Sequence, residues 1–206
     1  LRLNIISFFI LLFCTNCAKV VSPSGGEIDK TPPVLLQVQP PQKQIALRKG
    51  VIVFKFDEFF TLKSPSKGLI LSPLVEEELK YEIKGKQLLI HIPESIKDST
   101  TYSILLNNVI ADYNEGNILP SLKYTFSTGE KIDSLLLLGK AINAIDGKFV
   151  DSAMVFLIPS DADSAMLKKQ FAYITFTEQG SFQFENISSG SYNLFLLKDK
   201  DQNFIY

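Results

Sequence analysis

The chain has no tryptophan, a single histidine (His91) and no cysteine after Cys17. A lone imidazole and one Cys-x-x-Cys pair, confined to Cys14 and Cys17, supply neither a zinc ligand set nor a redox couple to the body of the protein. That body carries no disulfide either, so its core alone must hold it. Charge of one sign is missing too: 21 Lys and Arg stand against 22 Asp and Glu, for a net charge of −1. With no basic patch and no acidic tail, nucleic acid is excluded as a partner, because such binding rests on many Lys/Arg–phosphate contacts. No apolar run reaches the roughly 20 residues that span a bilayer. Nucleophile motifs and Gly-rich phosphate loops are also missing. These residues spell out no reaction, and a non-enzymatic role is expected.

What is present is apolar and aromatic. Hydrophobic residues make up 46% of the chain, with sixteen Phe and seven Tyr, types that favour strands. At the N-terminus, Arg2 precedes the apolar stretch Ile5–Phe13, which has the length of a signal-peptide core. It leads into Cys14-Thr15-Asn16-Cys17-Ala18, which resembles a bacterial lipobox, although Asn16 stands where a small residue is usual and Cys14 where leucine is. The resemblance implies that residues 1–16 are removed and that Cys17 is acylated. Each buried CH₂ contributes about 0.8 kcal/mol, so two or more acyl chains anchor stably. Residues 17–30, with Ser22-Pro-Ser-Gly-Gly26, read as a tether. The chain begins with Leu1 and ends on Phe204-Ile205-Tyr206 without a polar tail, so a longer protein is expected.

From Val34 the pattern has a period of two. Ile52, Phe54 and Phe56 share one face. Leu88, Ile90 and Ile92 form a second set, Tyr102, Ile104 and Leu106 a third, and Leu122, Tyr124 and Phe126 a fourth. Turn signals at Ser64-Pro-Ser66, Ser72-Pro73, Lys84-Gly-Lys86, Pro93 and Asn114-Glu-Gly-Asn117 separate them. Six to eight short strands at this spacing predict an antiparallel sandwich over residues 31–130. Tyr102 opens its strand at the place of a tyrosine corner and is read as structural. Asp112, Asn114 and Asn117 offer oxygens in one loop, of the kind calcium takes. The plainer reading of that loop is a tight turn, and His91 is read as a solvated side chain.

The opening Thr31-Pro-Pro33, Phe54-Lys-Phe-Asp-Glu58, Thr101-Tyr102, Asp112-Tyr-Asn-Glu-Gly-Asn117 and the closing Phe126-Ser-Thr-Gly129 together resemble a bacterial Ig-like domain of the SbsA type. With Cys17 ahead of them they are similar to Gram-negative lipoproteins that carry this domain. The resemblance implies a sandwich, an envelope location and no catalysis.

Residues 131–206 form a second expected unit. Leu135 to Ala144 is apolar, Met154 to Ile158 reads as a strand, and Phe171 to Thr177 alternates. Glu178-Gln-Gly-Ser181 reads as a hairpin turn in which Gly180 supplies positive φ. The run Gly180-x-Phe-x-Phe184-x-Asn-Ile187-x-x-Gly190-x-Tyr192-x-Leu194 resembles the regulatory-like, prealbumin-like domain of carboxypeptidases. That implies a small accessory sandwich with Gly180, Gly190 and Tyr192 in structural roles. Some adhesin relatives form Lys–Asn isopeptide bonds, but on the alternation Asn193 faces away from Tyr192 and Leu194. The charged stretch Lys198–Asn203 reads as a solvated loop.

The fold expected is therefore all-β, two tandem antiparallel sandwiches after a signal peptide and tether. The function expected is a scaffold or binding module, lipid-anchored at the outer membrane of a Gram-negative bacterium, facing an envelope protein or a glycan. Two alternatives stand beside it: an accessory region of an envelope enzyme whose catalytic domain lies beyond residue 206, and a calcium-dependent adhesin. Binding loops are expected at 60–68, 72–78, 112–117 and 160–168.

Overall fold

The computed structural model describes residues 26–160 and 173–198. The expected signal peptide, Cys14, Cys17 and most of the tether lie outside the described residues, as do residues 161–168 and the 199–203 stretch.

Strands form where the period of two predicts them. The first unit contains β1 (Leu35–Gln39), β2 (Val51–Phe56), β3 (Phe60–Leu62), a single helical turn α1 (Pro65–Gly68), and β4 (Leu69–Ser72). It continues with β5 (Tyr81–Lys84), β6 (Gln87–His91), β7 (Thr101–Asp112) and β8 (Ile118–Ser127). One sheet has the order β1-β2-β6-β5. In the other, β7 pairs with β8 along its length and with β3 and β4 at different levels, all antiparallel. Between the sheets lie Ile52, Phe54, Phe56, Leu88, Ile90, Tyr102, Ile104, Leu106, Tyr124 and Phe126, in one buried cluster. Burying one such side chain stabilises by about 1.5–3 kcal/mol, so this layer dominates the unit's stability. After β1 the chain crosses to the second sheet, where Lys43, Gln44 and Leu47 exchange backbone hydrogen bonds with Thr125 and Ser127 of β8. The β8 edge is thereby covered.

At Ser64-Pro65-Ser66 the structure shows α1 rather than a simple turn. Pro65 is tolerated because the first-turn N–H groups have no helical partner. The turn closes on Gly68, which is buried, and a Cβ there would come 2.6 Å from Val109 Cγ1.

The second unit contains β9 (Leu135–Lys140), β10 (Met154–Pro159), β11 (Tyr173–Phe176), β12 (Ser181–Ile187) and β13 (Tyr192–Leu197). One sheet has the order β11-β10-β13 and the other is the pair β12-β9. Val155, Leu157, Tyr173, Phe182, Phe184 and Ile187 form the core between them. The chain passes from one sheet to the other through Glu178–Ser181, which exchange both backbone hydrogen bonds. Gln179 and Gly180 both have positive φ, 50° and 77°, the combination a type I′ turn requires. Leu194 and Leu196 lie on the inward face but are 50% and 43% exposed, because the two-stranded β12-β9 sheet does not reach across β13.

The two units share a face. Met154 to Ile158 is apolar without interruption and buried throughout, the signature of a strand covered on both sides. Val155 and Leu157 point into the unit's own core. Met154, Phe156 and Ile158, with Ile174 of β11, pack instead against Ile70 of β4, flanked by Leu74 and Leu105 of the first unit.

Candidate functional site

The 112–117 loop is built on one carboxylate. Asp112 ends β7 and is buried. Its Oδ1 accepts the backbone N–H groups of Glu115 at 2.6 Å and Gly116 at 2.9 Å, and its Oδ2 that of Asn117 at 2.7 Å. Burial pushes its pKa up, but these donors outweigh burial and hold the carboxyl below the ordinary aspartate value. Gly116 takes a positive φ of 81° to close the turn. Asn114 is exposed, and Asn117 Nδ2 donates to the Asp29 carbonyl at 3.0 Å, fastening the end of the expected tether to the domain. The structure thus commits Asp112 and Asn117 to shaping the loop. Three of the roughly four acceptor positions of the Asp112 carboxylate are taken by these backbone N–H groups. No group of three or more His, Cys, Asp or Glu among the described residues is arranged to hold a metal ion.

Tyr102 lies in the core, and its hydroxyl accepts the N–H of Lys97 at 2.8 Å. Thr128 fastens the same loop from the other side. Its hydroxyl donates to the Lys97 carbonyl at 2.7 Å and accepts the Thr100 N–H at 2.9 Å. These bonds give the Thr101-Tyr102 and Ser127-Thr128 dipeptides a physical role, tying the strand ends of β7 and β8 to the loop before β7. Burial pushes the neighbouring Tyr124 hydroxyl up to about 12, and that hydroxyl donates to the Pro41 carbonyl at 3.3 Å. His91, expected to be solvated, is partly exposed and pairs with Glu82 at 3.3 Å.

In the second unit, Tyr173 and Tyr192 clasp the Ser188–Gly190 turn. The Tyr173 hydroxyl accepts the Ser188 N–H at 2.9 Å, and the Tyr192 hydroxyl donates to the Ser188 carbonyl at 3.1 Å. Gly190 lies against the Tyr192 ring, where a Cβ would come within 3.2 Å. Gly180, besides its positive φ, is pressed on the Phe149 side chain, 2.5 Å from where its Cβ would stand. Asn193 sits opposite Ile158 on the other face from Leu194.

Sequence reasoning missed the seam between the units. Ser72 at the end of β4 accepts the Ile174 N–H at 3.0 Å through its hydroxyl, and Lys123 pairs with Glu185 at 2.8 Å. The Lys123 hydrogen bond lowers the Glu185 pKa. Both partners are partly exposed, so the pair contributes at most about 1 kcal/mol; the apolar cluster around Ile70 carries the seam. Beside it, Ser103, Lys123, Tyr173 and Gln183 line a cavity of about 200 Å³. That is below the roughly 300 Å³ at which small-molecule sites begin. No buried side-chain nitrogen or oxygen among the described residues lacks a hydrogen-bond partner, so the cavity presents no buried group in need of a ligand. The readable signal was in β4 and β10, where Leu69-Ile70-Leu71 and Met154–Ile158 do not alternate.

Two facing antiparallel sheets, a tyrosine tied to the loop ahead of its strand and a Thr–Gly close decide the class of the first unit. Residues 29–128 match the family model of the bacterial Ig-like domain. The first unit is Ig-like. No curated protein matches the chain. An Ig-like domain of this kind is consistent with a binding or scaffold module.

Proposed function

We propose that the chain is a non-enzymatic lipoprotein of a Gram-negative cell envelope, held at the outer membrane through an acylated Cys17, with its sandwiches serving as scaffold or binding module. The observation that carries this reading is the Ig-like domain at residues 29–128, a type that positions or binds. The signal-peptide pattern before Cys17 and the Pro/Gly-containing tether support the anchor. The second unit is read as a regulatory-like, prealbumin-like accessory sandwich, supported by its five strands in two facing sheets and by the clasped Ser188–Gly190 turn. The first is read as the SbsA type on the motifs around Asp57, Tyr102 and Thr128. Fused through the Ile70–Phe156 seam, the two units make a stiff spacer that carries end loops away from the membrane.

Fractionation tests the anchor. Cys17→Ala is expected to move the protein from the membrane to the soluble periplasm. Membrane association unchanged by that substitution removes the lipoprotein reading.

A further inference from the structure

The open side of the Ig-like sandwich is built to take a strand. There the two sheets end at β4 and β5, and the connection between them runs along a groove of about 410 Å³ floored by Leu74, Val75 and Leu79. That volume lies within the range of ligand sites. On the β5 hairpin, Tyr81 and Ile83 pair with Ile90 and Leu88, whose side chains face the core. Tyr81 and Ile83 therefore belong to the inward face, yet they are 40% and 42% exposed, and Tyr81 stands across the groove from Leu69 and Leu71 of β4. The outward backbone groups of Tyr81 and Ile83 are also free among the described residues. Lys80 O accepts the His91 N–H, so the alternation of an antiparallel ladder aims the N–H and C=O groups of residues 81 and 83 away from β6. The rim is acidic. Glu77 is taken up by Lys80 and by the Glu94 N–H, whereas Glu76 and Glu78 are exposed and make no ion pair among the described residues.

We propose that this groove binds an extended peptide segment with alternating apolar and basic residues, added as a fifth strand to the free edge of β5. Its backbone pairs with Tyr81 and Ile83, its apolar side chains cover Tyr81, Ile83 and Leu74, and its lysines or arginines meet Glu76 and Glu78. Strand addition supplies affinity through the main chain and specificity through alternate side chains. The acidic rim selects charge and speeds encounter. This site rests on the reading of the chain as a binding module and names the chemistry of the partner.

The test uses the full chain and a fluorescein-labelled Lys-Val-Lys-Val-Lys-Val peptide, with Glu-Val-Glu-Val-Glu-Val as its counterpart, followed by fluorescence anisotropy. The basic peptide is expected to bind, more weakly as salt rises, and the acidic one not to bind. Glu76→Lys/Glu78→Lys changes only exposed side chains and is expected to weaken binding about tenfold or more with the melting temperature retained. Ile83→Pro removes an outward N–H without touching the β6 ladder and is expected to weaken binding similarly. No binding by the basic peptide, equal binding by the acidic one, or binding unchanged in the Glu76/Glu78 variant overturns the site. Displacement of the peptide by spermine at equal charge also overturns it, since that marks a cation trap and not a strand site. A negative result together with Cys17-dependent membrane retention removes this groove and leaves the anchored scaffold standing.

Discussion

Asp112 is an acid surrounded by backbone N–H groups, and its charge organises six residues of loop. Its carboxyl is held below the ordinary value of 3.8. A group whose pKa is lower folded than unfolded contributes fully above its unfolded value, and that contribution is lost as pH falls below it. Asp112→Asn keeps the shape but turns an amide NH₂ toward a backbone donor. It is expected to lower the melting temperature by several degrees at neutral pH, and the gap to the parent should close below about pH 4. Circular-dichroism melts across that range check both statements; a gap that persists in acid means the charge is not the cause. Tyr102→Phe leaves the ring in the core and strands the Lys97 N–H. The expected cost is about 1–3 kcal/mol, read as a lower urea midpoint with an unchanged slope. The Tyr102 hydroxyl bond was legible in the sequence because a strand-opening tyrosine after a polar loop has few other uses. The Asp112 clamp was not, because the same Asp-x-Asn spacing serves a cation or a turn, and only the direction of the N–H groups separates them.

At the scale of elements, alternation carried most of the fold. β2, β6, β7 and β8 bury the residues their period selects. The pattern was silent where a strand is covered on both faces or on neither. β10 is buried throughout, and β13 leaves Leu194 and Leu196 half exposed although both point inward. Both outcomes depend on what lies across from the strand, which no local pattern records. Close approach is equally hidden. Gly139 of β9 lies opposite Phe182 of β12, and a Cβ at that position would run into the Phe182 ring. Gly139→Val is expected to destabilise the second unit by about 1–3 kcal/mol through overpacking. Hydrogen exchange should show the loss in β12 first. Gly139→Val combined with Phe182→Ala should lose less than the sum of the two single losses, which tests that the ring is the cause.

For the molecule as a whole, the seam decides how many things unfold. Phe156 faces the first unit from within the second, in the cluster that includes Ile70. Truncating a buried phenylalanine costs about 3–5 kcal/mol. Phe156→Ala is expected to reduce amide protection in β2 and β12 together, because the cavity opens between the units and not inside one of them. Loss confined to β12 means that the Ig-like domain stands independently of its neighbour.

The same seam bears on inheritance. Domains separate most readily at linkers where few contacts cross. Here a recombination event at residues 129–134 leaves Met154, Phe156 and Ile158 facing water on one product and Ile70 on the other. A cut there therefore exposes apolar surface on both pieces, and any other neighbour for the Ig-like domain has to present an apolar strand that covers Ile70.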